Sequence, residues 1–371
     1  MKGLSQEKLN IFLAKLRFDK YMISIIMPIR NEEKYIYSTI KSILGQKFFN
    51  KDYEIIIADG MSTDRTREII NDLIRKNNKI KLIDNPKKIV PVGFNLALNK
   101  AKGDIIIRVD GHTKINSDYI FNCVQKLEQN NYANVGGLMN AQGDKLIDHS
   151  ISIATSSVFG VGNSYFHFSS KSRYVDTVFM GAWKKEIFYK YGGFDEELVR
   201  NQDDEFNFRI SQQGEKIWLD TSIKSEYFPR NTLKKLFKQY FQYGFYKIRL
   251  FQKRGGFSSY RHLIPGLFVS SLIASILLFF IYDHSYLLLL VGGSYLLVNL
   301  FFSLYSAFIS HHEDKKYLTK FFKLSLLLPI IYFILHLSYG LGSLIGIIYF
   351  FNKLNDTEVC DTHFKKDKDS K

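Results

Sequence analysis

The sequence predicts an α/β domain, a mostly parallel central sheet flanked by helices, followed by C-terminal transmembrane helices. Three observations carry this. Short β-rich apolar runs alternate with segments of helical apolar spacing through the first part of the 371 residues, the pattern of a parallel sheet with right-handed crossovers. Carboxylates stand at the ends of those runs, where open α/β sheets bind ligands. From Leu263 to Phe351 the chain is dominated by Leu, Ile, Phe, Tyr and Ser, in stretches long enough to cross a bilayer.

Within the N-terminal segment 1–21, residues 5–20 have helical spacing and read as a surface or interface helix. Ile23–Ile29 is the first strand. Asn31–Leu44 reads as a helix with Ile36, Ile40, Ile43 and Leu44 on its apolar face. Glu54–Ala58 is a second strand, and Ser62, Thr63 and Asp64 can cap the helix that follows, Arg65–Lys76. Ile80–Ile83 is a third strand. Pro91–Lys102 is helical and Gly103 ends it. Ile105–Val109 is a fourth strand running into Asp110, and Ser117–Asn130 is a further helix. Asn134–Leu138 is strand-like. The Gly/Ser-rich stretch 156–172 reads either as a mobile loop over the site or as an ordinary connection. The α/β domain is expected to occupy 22–222 and basic interfacial helices 223–262.

The net charge of +15 is partly local. Between Lys224 and His262 ten Lys/Arg face a single acid, Glu226, and aromatic residues interleave with them. Beside a hydrophobic span, such a stretch fits an anionic membrane surface better than nucleic acid. The two cysteines, Cys123 and Cys360, allow no disulfide framework and no cysteine zinc site, as expected of a reduced cytoplasmic domain. Met1–Tyr21 has no continuous apolar core of the signal-peptide kind.

In the membrane region (263–351), segments 263–282, 286–309 and 324–351 are the hydrophobic stretches, with a polar turn at 283–285 and a polar, lysine-bearing loop at 311–323. Lysine and arginine before the first and after the second place both ends in the cytoplasm, giving a multi-pass protein of the cytoplasmic membrane with its catalytic domain facing inward. One full crossing by the third segment would put the basic tail (352–371) outside, against the same bias. A re-entrant or kinked third segment, interrupted at Pro329, Gly340 and Gly342, would remove the conflict.

The stretches SIIMPIRNEE, ADGMSTDRT, GDIIIRVDGHT and GGFDEELVRNQDDEFNFRI occur in that order. Together they resemble the family 2 inverting glycosyltransferases of GT-A fold, in particular the membrane-bound exopolysaccharide, succinoglycan-type branch. The resemblance covers roughly residues 22–262. It implies that Pro28, Arg30 and Glu32 cradle the nucleoside and that Asp59 reads the base edge. Asp110-Gly111-His112 stands where the family carries its Asp-x-Asp metal motif, which implies Mg²⁺ or Mn²⁺ across the donor diphosphate. Here His112 replaces the second acid, as a ligand or only as a polar neighbour. Arg108 either pairs with a carboxylate or contacts ligand on the nucleotide side. Phe179–Trp183 resembles the acceptor-side loop, with Gly181 admitting a sugar and Trp183 either offering an aromatic face or simply packed.

Counting back from Phe206 and Arg209 places the family's acid pair at Gln202-Asp203. That makes Asp203 the candidate base, with Asp204 the runner-up and Gln202 a departure from Glu. Arg230 is a candidate contact for a diphosphate or a lipid headgroup.

The resemblance thus implies a membrane-bound transferase. It would move a sugar from a nucleotide-sugar, expected to be a UDP-sugar, to a lipid-linked (polyprenyl) saccharide in cell-surface polysaccharide synthesis. The alternatives are transfer to polyprenyl phosphate itself and, from another class, a non-catalytic nucleotide-binding membrane scaffold. A processive synthase fits less well, since there are only three hydrophobic segments and no clear Gln-x-x-Arg-Trp motif.

Overall fold

The computed structural model describes residues 20–46, 52–143, 145–162, 164–229, 232–256, 259–313, 318–354 and 356–358. The expected N-terminal helix, Arg230 and most of the polar tail lie outside them. The chain divides into two compact units, one holding residues 1–140, 169–227 and 359–371 and the other 141–168 and 228–358.

In the first unit β1 (Ile23–Ile29) is followed by α1 (Ile36–Leu44), β2 (Tyr53–Asp59), α2 (Thr66–Ile74), β3 (Ile80–Asp84), α3 (Val90–Lys100) and β4 (Ile105–Arg108). Every residue of β1 is buried, as expected of a strand covered on both faces of a parallel sheet. β1 pairs in parallel with β2 and β4, and β2 with β3. Register sets Ile29 against Asp59 and Asp59 against Asp84, so the ends of these strands share one edge. That edge carries the acidic motifs.

β5 (Thr113–Ile115), α4 (Tyr119–Asn130) and β6 (Asn134–Ala141) come next. β7 (Arg173–Tyr174), β8 (Phe179–Lys184) and β9 (Ile217–Tyr227) complete a nine-stranded sheet among the described residues, in the order β3-β2-β1-β4-β8-β6-β9-β5 with β7 on β9. The expected parallel pairing holds from β3 to β4. Beyond β4 the sheet turns antiparallel, since β8 pairs antiparallel with both β4 and β6, and β9 with β5 and β7. The alternation of strand and helix did not foretell this, because antiparallel neighbours need no crossover helix to announce them.

Two boundaries differ from expectation for local reasons. The helix expected from Asn31 begins at Ile36, because Asn31 takes a left-handed backbone (φ 56°) and residues 31–33 are engaged elsewhere. Gly103 does not end α3, whose C-cap is Ala101. It lies where a Cβ would stand 2.5 Å from the Ser24 amide nitrogen, so a side chain would collide with β1.

Residues 141–168, read from sequence as part of the α/β domain, belong to the second unit. They form α5 (Leu146–Thr155) and the short α6 (Val158–Val161). The stretch 156–172, left open as a loop or a connection, thus contains helix α6 and a single 3-10 turn, Tyr165–His167. In the first unit, α7 (Lys185–Tyr191) and α8 (Gln202–Ser211) lie between β8 and β9. The basic region is chiefly a single helix, α9 (Leu233–Arg254), capped by the Thr232 side chain. Its charge is not all on the outside: Lys247, Arg249 and Lys253 are buried.

α10 (Ile264–Tyr282), α11 (Tyr286–Glu313) and α12 (Leu318–Tyr349) close the second unit. All three are long and apolar enough to cross a membrane. α12 runs unbroken through Pro329, Gly340 and Gly342, so the third segment is neither interrupted nor split. α9 and α12 approach almost backbone to backbone. A Cβ on Gly244 would stand 2.0 Å from the Tyr339 carbonyl oxygen, and one on Gly342 would stand 2.1 Å from that of Phe241. This is the small-residue contact that lets helices in apolar surroundings pack closely.

Candidate active site

Asp59 closes β2 with its side chain fully buried (0% exposed). It accepts from the Ser62 amide (3.0 Å) and hydroxyl and pairs with Arg67 at 2.8 Å. Arg67 also reaches Asp84 at the end of β3, at 2.8 Å. Three of the roughly four lone-pair positions of the Asp59 carboxylate are therefore used, and the side chain has no surface open to solvent.

The loops after β1 and β2 are laced together. The Asn31 amide donates to the Ser62 hydroxyl (2.8 Å), that of Glu32 to the Thr66 hydroxyl (2.7 Å), and that of Glu33 to Asp64 (3.2 Å). In return Thr63 donates to the Asn31 side chain (2.8 Å) and Arg65 to Glu33 (3.1 Å). Ser62 thus bridges the loops, and Asp64 does so while also accepting from the Thr66 amide (3.1 Å) at the first residue of α2, whose N-cap position is Arg65. Pro28 lies buried inside β1 opposite Ala58. Arg30 is exposed and its stem crosses Gly60, whose Cβ position lies 3.2 Å from Arg30 Cβ.

At the end of β4, Arg108 donates to Asp110 through Nε (2.8 Å) and Nη2 (3.3 Å), and its other terminal nitrogen lies 3.6 Å from the Asp203 carboxylate. One buried guanidinium therefore joins the candidate metal-motif acid and the candidate base. His112 turns the other way. Its Nδ1 lies 2.9 Å from Glu32 Oε1, and its ring packs 5.1 Å from that of Tyr227 on β9. Gly111 makes this possible: a Cβ there would stand 2.8 Å from Glu32 Cγ.

Asp203 stands in the first turn of α8, after Asn201 in a left-handed conformation (φ 62°). Three acids share that turn, but they do different things. Glu205 is fully buried and holds Arg209 through two bonds of 3.0 Å. Arg209 in turn caps the Tyr191 and Gly193 carbonyls. Gln202 is buried at the helix start. Asp203 keeps 32% of its side chain accessible. Burial of its carboxyl and the neighbouring Asp204 push its pKa up, against the pull of Arg108. The turn before α8 is pinned to α3: Asn95 accepts from the Phe194 amide and donates to its carbonyl, both at 2.8 Å, and Phe94 stacks on Phe194 at 4.1 Å.

On β8, Met180 and Gly181 both take positive φ (63° and 97°). Trp183 is only 1% exposed and packs among Phe94, Phe188, Phe194 and Phe206. The packed alternative holds for Trp183, which offers no face to a sugar. Gly181 serves that packing, since a Cβ would stand 2.5 Å from the indole ring.

The donor set bears on a metal. Among the described residues no three His, Cys, Asp or Glu side chains converge on a common point, and His112 spends its Nδ1 on Glu32. Asp110 offers a partly accessible carboxylate (17%) at the end of β4. This fits an ion whose remaining ligands are diphosphate oxygens and water, as is usual for Mg²⁺, and not a cage made by the protein. Sequence reasoning missed Arg67, Asp84, Asn95 and Arg209 as organisers of the site. Arg209 lies inside a quoted motif and Arg67 one residue past another, but the tie from Arg67 to Asp84 and those from Arg209 to the Tyr191 and Gly193 carbonyls join separate elements.

Residues 24–192 match the family model Glycosyl transferase family 2. A curated relative, the dolichyl N-acetyl-alpha-D-glucosaminyl phosphate 3-beta-D-2,3-diacetamido-2,3-dideoxy-beta-D-glucuronosyltransferase of Methanococcus voltae, is 31% identical over 271 residues, 70% of this chain and 84% of the relative. The chain belongs to glycosyltransferase family 2. This family 2 glycosyltransferase is also 29% identical over 243 residues to the succinoglycan biosynthesis protein ExoA of Rhizobium meliloti (strain 1021), covering 65% of this chain and 73% of that one. Among solved structures, the mannosyltransferase PcManGT from Pyrobaculum calidifontis, in complex with GDP-Man and Mn²⁺, superimposes with a TM-score of 0.54 at 14% identity, over 91% of this chain and 94% of that one. That likeness speaks for the shared GT-A fold alone.

Proposed function

We propose that this glycosyltransferase is a membrane-bound inverting enzyme. It moves a sugar from a nucleotide-sugar, with UDP-sugars the first donors to test, to a lipid-linked saccharide during cell-surface polysaccharide synthesis. The observation that carries the reading is the Asp110–Arg108–Asp203 arrangement: a diphosphate-side acid and an accessible, raised-pKa carboxylate held by one guanidinium. The dolichyl-linked acceptor named for the Methanococcus voltae relative and the three apolar helices support a lipid acceptor at the inner face of the cytoplasmic membrane.

In this reading Asp59, buried and held by Ser62 and Arg67, sets the backbone edge against which the base binds, and the loop carrying Pro28, Arg30 and Glu32 borders the nucleoside. Asp110 would hold a divalent ion, Mg²⁺ or Mn²⁺, which neutralises the charge that gathers on the diphosphate. Asp203 takes the proton from the acceptor hydroxyl as that oxygen bonds to C1 of the donor sugar. The C1–oxygen bond to the diphosphate breaks on the opposite face, its electron pair leaves with the nucleoside diphosphate, and the anomeric centre inverts. No enzyme nucleophile is required.

The test is donor consumption by detergent-purified protein with Mn²⁺, a panel of nucleotide-sugars and a bacterial lipid extract, with Asp203→Asn alongside. Release of nucleotide and a new glycolipid, both falling by roughly 10²–10⁴-fold in the variant, is the expected result. A variant as active as the wild type sinks the base assignment. Full loss on removing Asp110 with little on removing Asp203 would favour a phosphate acceptor, which needs no strong base.

A further inference from the structure

Both halves of α12 are bound to segments that cannot cross a bilayer. Past its C-terminal end, fully buried Arg249 donates to the Lys353 carbonyl (2.9 Å) and pairs with Asp356 (2.7 Å). Gln252 donates to the Phe350 carbonyl (3.1 Å) and Lys253 to that of Glu358 (2.9 Å). All three donors belong to the last two turns of α9. With seven Lys/Arg in its 22 residues, α9 cannot lie across hydrocarbon, where each charge costs several kcal/mol. Residues 228–232, which join it to β9, reach at most about 20 Å, short of a hydrocarbon core of about 30 Å.

The first half of α12 shows the same restriction. Leu324, Leu328 and Ile331 pack with Ile151 and Ala154 of α5. Residues 142–145 tether α5 to β6, and they reach at most about 18 Å.

Between α9 and α12, the helices α10 and α11 are joined by residues 283–285 alone. Such a hairpin either crosses twice or not at all, so it returns the chain to the side it left. α12 therefore begins on the side of α9, and the clasp at Arg249 and Lys253 ends it there.

We propose that α12 does not cross the bilayer. It lies along the leaflet on the side of α9, with one apolar stripe in the acyl chains, and the chain beyond Lys353 stays on that side. The surface of α12 has the two faces this requires. Phe322, Leu326, Ile330 and Phe333 are exposed along its first half at the three- and four-residue spacings of a helical stripe, and Ile345 and Ile348 are exposed near its end, beyond Gly340, which packs on Pro265 and Val269 of α10. The rest of its surface packs on α5 and α9 and, through Pro265, Tyr295 and Asn299, on the α10–α11 hairpin. Protein buries 39% of its apolar stretch, against 11% for each of the other two helices. Lysines before α12 and in the tail then share one side, as the positive-inside tendency favours.

Protease digestion of sealed inside-out vesicles tests this, using the full chain with an epitope tag at each terminus. We expect both tags to share one fate, digested together or protected together. One tag digested while the other survives overturns the proposal. Cys360 gives a second readout, because Cys123 is buried. An impermeant maleimide should label Cys360 from the same side that exposes the N-terminal tag, and labelling from the other side overturns the proposal.

Discussion

The Arg108 guanidinium lies 3.6 Å from the Asp203 carboxylate, close enough to favour the charged form of a group that its surroundings otherwise push toward neutrality. As the proposed base, Asp203 must be deprotonated to act. Activity should therefore fall as pH drops through the raised Asp203 value, and Arg108→Met, by removing the opposing pull, should move that acid limb to higher pH. The kcat/KM profile between about pH 4 and 9 measures this. A limb that stays in place assigns the titration to another group.

Arg67 is the tie between Asp59 and Asp84. Arg67→Met should leave the Asp59 carboxylate unanchored and raise the donor KM about tenfold, or roughly 1.4 kcal/mol, with kcat little changed. Steady-state kinetics across donor concentrations check it. A fall in kcat alone would place Arg67 on the acceptor side.

Trp183 packs within an aromatic cluster and its indole nitrogen has no hydrogen-bond partner. Trp183→Phe should keep both fold and acceptor KM. Trp183→Ala should cost about 3–5 kcal/mol of stability by leaving a cavity. Thermal unfolding in detergent, read beside acceptor kinetics, separates the two. An acceptor KM that rises in the Phe variant would return Trp183 to the site.

Glu54 is buried, which by itself would raise its pKa, but Lys81 (2.7 Å), the Lys102 amide (2.6 Å) and Ser24 (2.8 Å) hold it below its ordinary value. A depressed carboxylate stabilises the fold above its unfolded-state pKa and loses that contribution as pH falls through the lower folded-state value. Glu54→Gln should lower the neutral-pH stability by about 1–3 kcal/mol, and the gap from wild type should shrink in acid. Melting curves at neutral pH and below about pH 4 decide it.

The parallel half of the sheet was legible because its strands are apolar runs separated by helices, and β1, β2 and β4 fall close to where the pattern puts them. β8 and β9 were not. In β8 a glycine breaks the run, and β9 mixes polar residues through a mostly antiparallel strand, so neither has the apolar density of a buried parallel strand. The acids of the site could be read because strand ends expose them, whereas their organisers could not. Arg108 bonds Asp110 two residues on but meets Asp203 from 95 positions away, and Asn95 meets Phe194 across a similar distance. The bond that fixes the His112 ring, to Glu32 80 positions earlier, was likewise out of sight of the sequence. Helix α5 carries Asp148 and His149 among its apolar residues, and only its partners reveal that its apolar face is wanted by α12.

Five hydrogen bonds close the seam between the loops after β1 and β2. At about 1 kcal/mol each, separating them would cost about 5 kcal/mol, the lower end of a domain's whole stability margin. That flank behaves as a fixed jaw during turnover. If the site opens and closes in each cycle, the parts that yield are ones outside this seam.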